Sequence, residues 1–206
     1  MYSSASYSLY IKSHSTQFLL VIVIVSAKID ELLSPIISMP PVYYRLELQV
    51  LENGQPFYPP LGTKEDLPSD NAGYDLKVVG DQQPLNTASL VPLGLKARMQ
   101  RVTKYVFDTE FVEELEDCHF TLEPRSSIYK SGFMMANSRG IIDKTYRGQL
   151  MAPLISVGTS QKSIEAGTRL FQILAPDLGH IKEVVYVDSL PETVRGEGGF
   201  GSTGTK

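Results

Sequence analysis

Beyond Met39, apolar and polar residues alternate in short runs, and apolar positions at helical spacing are scarce. The segment Tyr43-Tyr-Arg-Leu-Glu-Leu-Gln-Val50 has the period of two expected of a half-buried strand. Short apolar runs follow at 74–79, 89–95, 104–107, 120–122, 140–142, 149–155, 169–174 and 183–187, most of them bounded by Gly, Pro, Asn or Asp. Short strands at such spacing predict an all-β domain, a sandwich or barrel with little helix. Residues 56–68 hold four prolines and a glycine and read as an extended loop. One helical turn is expected, at 108–118, where Phe111, Val112 and Leu115 are spaced for one face among six acids. That acidic run reads as a solvated face. The last twelve residues, Arg195 to Lys206, contain five glycines and one large apolar side chain, so they cannot build a core and are expected to form a flexible arm.

The first 38 residues stand apart from this pattern. Residues 1–29 have no Asp or Glu and are rich in Ser and Tyr. Their apolar run, Phe18 to Val25, has eight residues, whereas a spanning helix needs about 20, so no stable membrane insertion is expected. With Lys12 ahead and Val25-Ser-Ala27 behind, the run has the form of a secretory h-region, and the acid-free leader also suits an organellar transit peptide. The alternative makes Met39 the true first residue. A start near Met39 implies a cytoplasmic or nuclear protein; a genuine leader implies organellar or secretory targeting. The expected organisation is an N-terminal extension over 1–38, a β-barrel over 39–190 and the arm over 191–206.

A chain of 206 residues suffices for one domain with a proper core. The net charge of −4 argues against a nucleic-acid polymer as ligand, since that calls for a basic face. It leaves room for a small polyanion held by a few arginines and backbone N–H groups. The single cysteine, Cys118, excludes an intrachain disulfide, and His14, His119 and His180 are too dispersed for zinc spacing.

Four segments carry polar residues that a β-core does not need. Asn71-Ala-Gly-Tyr-Asp-Leu76 opens a strand with a glycine and a carboxylate, Asp75. Glu123-Pro-Arg-Ser-Ser127 puts a guanidinium and two hydroxyls directly after a strand, an arrangement suited to phosphate oxygens. Residues 137–150 read as a hairpin, Gly140-Ile-Ile-Asp143, a turn, then Tyr146-Arg-Gly-Gln-Leu150. Gly167-Thr-Arg-Leu-Phe-Gln172 again sets polar side chains between apolar ones. Taken singly, none of the four is specific.

In this order, and with the glycine-rich tail Arg195-Gly-Glu-Gly-Gly-Phe-Gly-Ser-Thr-Gly204 last, the set resembles the five motifs of the trimeric dUTPase family over residues 71–206. The resemblance implies a dUTPase-like distorted jelly-roll or β-clip barrel, and hydrolysis of dUTP to dUMP and pyrophosphate. Asp143 matches the general base that orients and deprotonates the attacking water. Tyr146 matches the ring under the deoxyribose, which leaves no room for a 2′-hydroxyl. Asn137 and the backbone at Gly140 match the uracil-reading positions. Arg125, Ser126 and Gln172 match phosphate contacts, with Ser126 donating where leaving-group charge develops. Asp75 matches a carboxylate that acts through water on Mg²⁺. In the arm, Arg195 is expected on the γ-phosphate and Phe200 over the uracil. Gly198, Gly199, Gly201, Ser202 and Thr203 are expected to supply backbone donors. The resemblance also implies a homotrimer whose sites are shared between chains.

Three departures stand out. Ser127 replaces a glycine that usually follows the Arg-Ser pair, Thr145 stands where an acid is common, and the stretch between Leu95 and Pro124 is longer than the family norm. Two rivals are a dCTP deaminase-type relative and a non-catalytic dUTPase-like binding protein. The tail, together with Gln149 where the deaminases use a glutamate, opposes the first. The intact set of polar residues opposes the second.

Overall fold

The computed structural model describes residues 41–84, 86–107, 110–158 and 162–199. The proposed leader and the arm residues Phe200, Gly201, Ser202 and Thr203 lie outside the described residues. Twelve strands are described: β1 Val42–Val50, β2 Lys64–Asp66, β3 Gly73–Lys77, β4 Ser89–Pro92, β5 Leu95–Phe107, β6 Glu110–Cys118, β7 Phe120–Pro124, β8 Phe133–Met135, β9 Gly140–Ile142, β10 Met151–Ser156, β11 Arg169–Leu174 and β12 Ile181–Tyr186. Two 3₁₀ turns, Glu52–Gly54 and Ile128–Lys130, are the only helical segments among the described residues. The all-β architecture expected from the strand spacing is therefore what the described residues adopt.

Three sheets surround one core, in the orders β2-β12-β1-β5-β6, β4-β10-β8 and β3-β11-β7-β9. All pairings are antiparallel except β1 with β12. The period of two explains which residues face inward. On β1, Tyr44, Leu46 and Leu48 join Ala97 and Met99 of β5, Leu122 of β7, Phe171 and Ile173 of β11 and Val184 of β12 in a single buried cluster. Each such aliphatic or aromatic side chain contributes about 1.5–3 kcal/mol by leaving water.

The alternate residues of the five-stranded sheet form a charged outer layer. Arg45 pairs with Glu183 at 2.7 Å and Glu113 at 3.3 Å, Lys104 with Glu113 at 2.7 Å, and Arg98 with Glu47 at 3.0 Å and Asp117 at 2.7 Å. This layer corrects the expectation of a helical turn at 108–118. The segment is β6, paired with β5 from Phe107↔Glu110 to Met99↔Cys118. An i, i+4 spacing fits a strand face as well as a helix face, so Glu113 and Asp117 can both reach the basic residues of β5 and β1. Glu110, Glu113, Glu114 and Glu116 are exposed as expected and Asp117 is partly buried, but Glu113 and Asp117 tie the edge strand to its neighbours. The extended loop at 56–68 is likewise only partly a loop, since β2 lies within it and pairs with β12.

Candidate active site

The four-stranded sheet positions the candidate residues, and its register decides which of them meet. Gln172 of β11 lies opposite Asp75 of β3 and opposite Glu123 of β7, while Arg125 follows the last residue of β7. Gln172, Asp75 and Arg125, with Asn71, Ser126 and Arg169, line an open cavity of about 500 Å³. Arg125 Nε reaches Asp75 Oδ1 at 2.8 Å, and Arg169 reaches Asp75 Oδ2 at 3.1 Å. A Cβ on Gly73 would stand 2.6 Å from the Ile173 carbonyl oxygen, so only glycine lets β3 approach β11 this closely. The residues expected to contact phosphate, with Asp75, thus line one cavity, termed the phosphate cluster after that expectation. Its Ser127 is in right-handed helical backbone, φ −82° and ψ −5°, which a residue with a side chain adopts without strain.

A second cavity, of about 200 Å³, is lined by Asn137, Gly140, Asp143, Tyr146, Gln149, Arg195 and Gly199 among others. The hairpin read over 137–150 takes a different form. β9 pairs with β7, and the chain turns at Asp143, where Tyr146 N–H donates to the Asp143 carbonyl at 2.9 Å. It then runs outside any strand, Arg147 N–H donating to the Gly196 carbonyl and Leu150 N–H to the Leu95 carbonyl, both at 2.8 Å, before entering β10, which pairs with β4 and β8. Core packing directs this outcome, because Leu150, Ala152 and Leu154 are buried between those strands.

The turn carries two of the candidate side chains of this cavity, Asp143 and Tyr146. Tyr146 is buried, its hydroxyl donating to the Gln149 carbonyl at 3.0 Å. Burial and the nearby Glu197 carboxylate push its phenol above the ordinary value, which keeps that donor protonated. The Asp143 carboxylate is 41 % exposed, open enough to meet water. Arg195 pairs with its Oδ2 and lies over the Tyr146 ring, 5.8 Å from the centroid. Beneath the turn, Arg147 is buried and donates to the carbonyls of Lys144, Tyr146 and Pro191 at 2.7–2.9 Å. Burial lowers its pKa, though it stays far above neutrality. Gln149 Nε2 is buried without a hydrogen-bond partner, a donor facing the cavity.

Asp143 and the phosphate cluster do not meet within one chain. The pairing Phe120↔Ile142 places Asp143 beside the start of β7, whereas Arg125 follows its end. Six residues of strand separate the two levels, about 20 Å at 3.3 Å per residue, and the cavities share no lining residue. Arg169, Arg147 and His119 are site residues that the sequence motifs do not single out. Arg169 sits inside the segment 167–172 but is masked there by Gln172. Arg147 likewise sits inside the segment 146–150, and its partners are carbonyls of the turn and of Pro191; His119 gives no signal, because its contact with Asp143 arises from strand register.

No group of three or more His, Cys, Asp and Glu side chains converges among the described residues. The phosphate cluster offers one carboxylate, Asp75, with a guanidinium on each oxygen. This donor set fits a Mg²⁺ ion that arrives on phosphate oxygens and keeps its waters, not an ion caged by protein.

Comparison with known proteins gives this arrangement its context. The family model described as dUTPase matches residues 65–204. The deoxyuridine 5′-triphosphate nucleotidohydrolase of Rickettsia akari is 32% identical over 167 residues, 78% of this chain and 97% of that protein. The same enzyme of Escherichia phage T5 is 34% identical over 66% of this chain and 88% of its own. That of Wolinella succinogenes is 37% identical over 65% and 80%. Among solved structures, a point mutant of the Staphylococcus bacteriophage 80alpha dUTPase with dUpNHpp aligns over 78% of this chain and 98% of its own, with 16% identity and a TM-score of 0.39. The sequence matches alone carry the assignment: the chain belongs to the dUTPase family.

Proposed function

We propose that this protein hydrolyses dUTP to dUMP and pyrophosphate by water attack on the α-phosphorus, with Asp143 as general base. The observation that carries the proposal is the exposed Asp143 carboxylate at a narrow cavity walled by the Tyr146 ring. The cavity holds the deoxynucleoside. Tyr146 packs under the sugar and excludes a 2′-hydroxyl, while Asn137 and the backbone at Gly140 read the uracil edge. Asp143 takes the proton of a water held within hydrogen-bond reach, and the resulting hydroxide attacks in line with the leaving pyrophosphate.

Arg125, Ser126 and Gln172 hold the phosphate chain and stabilise the charge that develops on the leaving group. Asp75 would face a Mg²⁺ ion through its waters; when bound, that ion neutralises the phosphates and fixes their geometry. Because base and phosphate cluster lie about 20 Å apart along β7, each complete site joins the Asp143 turn of one copy to the Arg125 cluster of another, within a homotrimer. The arm over 191–206 closes the site. Arg195 leaves Asp143 for the γ-phosphate, Phe200 covers the uracil, and the backbone at Gly201, Ser202 and Thr203 wraps the phosphates. Ordering such a segment costs about 1–2 kcal/mol per residue, so the full triphosphate is required to hold it closed.

The test is pyrophosphate release from dUTP by the wild type and by Asp143→Asn. The expected result is turnover by the wild type and a loss of at least ~100-fold in the variant. Equal rates would remove Asp143 from the mechanism, and no turnover by either would remove the activity.

A further inference from the structure

His119 is the one residue between β6 and β7, and the β7–β9 register, continued one step past Phe120↔Ile142, sets it opposite Asp143. Its Nδ1 lies 3.3 Å from Asp143 Oδ1 and 3.3 Å from the Lys144 backbone nitrogen. The two contacts need different forms of the ring. A lone pair on Nδ1 accepts from Lys144 N–H, whereas a proton there is donated to the carboxylate. Either way the imidazole grips the turn at the residue that carries the base or the one after it. Arg195 holds the other carboxylate oxygen, and Asp117 of β6 supports Arg147 under the same turn at 3.4 Å. The end of β6 is thus a platform beneath the turn, and β6 belongs to the stretch that is longer than the family norm.

We propose that His119 is a positioning residue for Asp143, fixing the carboxylate and its turn so that the attacking water is correctly aimed. The proposal rests on the reading of Asp143 as general base. Its side chain is 58 % exposed, so its removal leaves no core cavity and the fold should tolerate it. A misplacement of 1 Å at a reacting centre can cost about 100-fold in rate, and partial release of the turn should cost on the order of tenfold.

The experiment compares dUTP turnover by the wild type, His119→Ala and His119→Asn, with melting temperatures alongside. Asparagine places an oxygen or a nitrogen on Cγ where Nδ1 stands, so it can make either contact. The expected result is a kcat about tenfold lower for H119A, with KM and Tm unchanged and kcat largely restored in H119N. Wild-type kcat in H119A overturns the proposal, and so does an H119N variant as impaired as H119A. A wild type without turnover would sink the activity itself. In that event a crystal structure of H119A against wild type still decides: displaced Asp143 and Lys144 support the role, and superimposable turns overturn it.

Discussion

Adding one methyl group at residue 148 tests whether the Tyr146 ring must lie where it does. A Cβ on Gly148 would stand 2.5 Å from Tyr146 Cζ and 2.8 Å from Cε2, distances that real carbon atoms do not tolerate. Gly148 is not in left-handed backbone, so Gly148→Ala meets the ring and no other obstacle from its own φ. The ring cannot swing freely, because it is buried and its hydroxyl is tied to the Gln149 carbonyl. Gly199 also approaches the ring, and a Cβ there would be 2.9 Å from the same Cε2.

Overpacking of this kind costs about 1–3 kcal/mol. If the fold absorbs the strain, Tm falls by roughly 2–4 °C per kcal/mol. If the ring moves instead, the sugar loses its support and kcat/KM falls by about 5- to 150-fold, the same energy expressed in the transition state. The assay measures both quantities in G148A, Y146A and the double variant. With the ring removed, the three atoms nearest the added methyl are gone, so G148A should have much less effect on Tm in the Y146A background. A single G148A variant with unchanged Tm and unchanged kcat/KM refutes the packing argument. So does an equal Tm loss in both backgrounds.

Two further expectations follow from the charges and the register. Burial works against ionised Glu183, but hydrogen bonds from Arg45 and Tyr43 outweigh it and hold the carboxyl below its ordinary value of 4.5. A depressed carboxyl contributes stability above its ordinary value and loses it as pH falls through the folded one. The wild-type Tm should therefore drop more steeply below about pH 4.5 than that of Glu183→Gln, and parallel curves would contradict the assignment. Separately, Asp143→Asn and Arg125→Ala should each be inactive alone but regain activity when unfolded together and refolded. Random mixing in a trimer gives about a quarter of sites an intact Asp143 from one chain and an intact Arg125 from its neighbour. No recovery in mixed trimers would place both residues of a working site on one chain.

What the sequence could reveal follows from what each signal measures. Alternation reports which face of a strand is buried, so β9 and β11 match their expected bounds, and β1, expected from Tyr43, starts one residue earlier at Val42. It does not report the partner strand. That is why the acidic run of β6 passed for a helical turn, and why residues 146–150 were joined to β9 although they lead instead into β10. The local content of the site was legible for a related reason. Asp75, Arg125, Ser126 and Gln172 sit in short motifs, and register gathers them into one cavity.

The distance between motifs was not legible, because it depends on where along β7 each one docks. Asp143 meets the first residues of that strand and Arg125 follows its last, so two motifs 18 positions apart in the chain end about 20 Å apart in space. His119 was silent for the same reason: a lone histidine in a connection has no motif, and only the register of β7 with β9 sets it against Asp143. If Asp143 is the base and Arg125 holds phosphate, as proposed, a single nucleotide cannot use both at that separation. The strand that keeps the two apart within one chain is therefore the physical argument for a site completed by a second one.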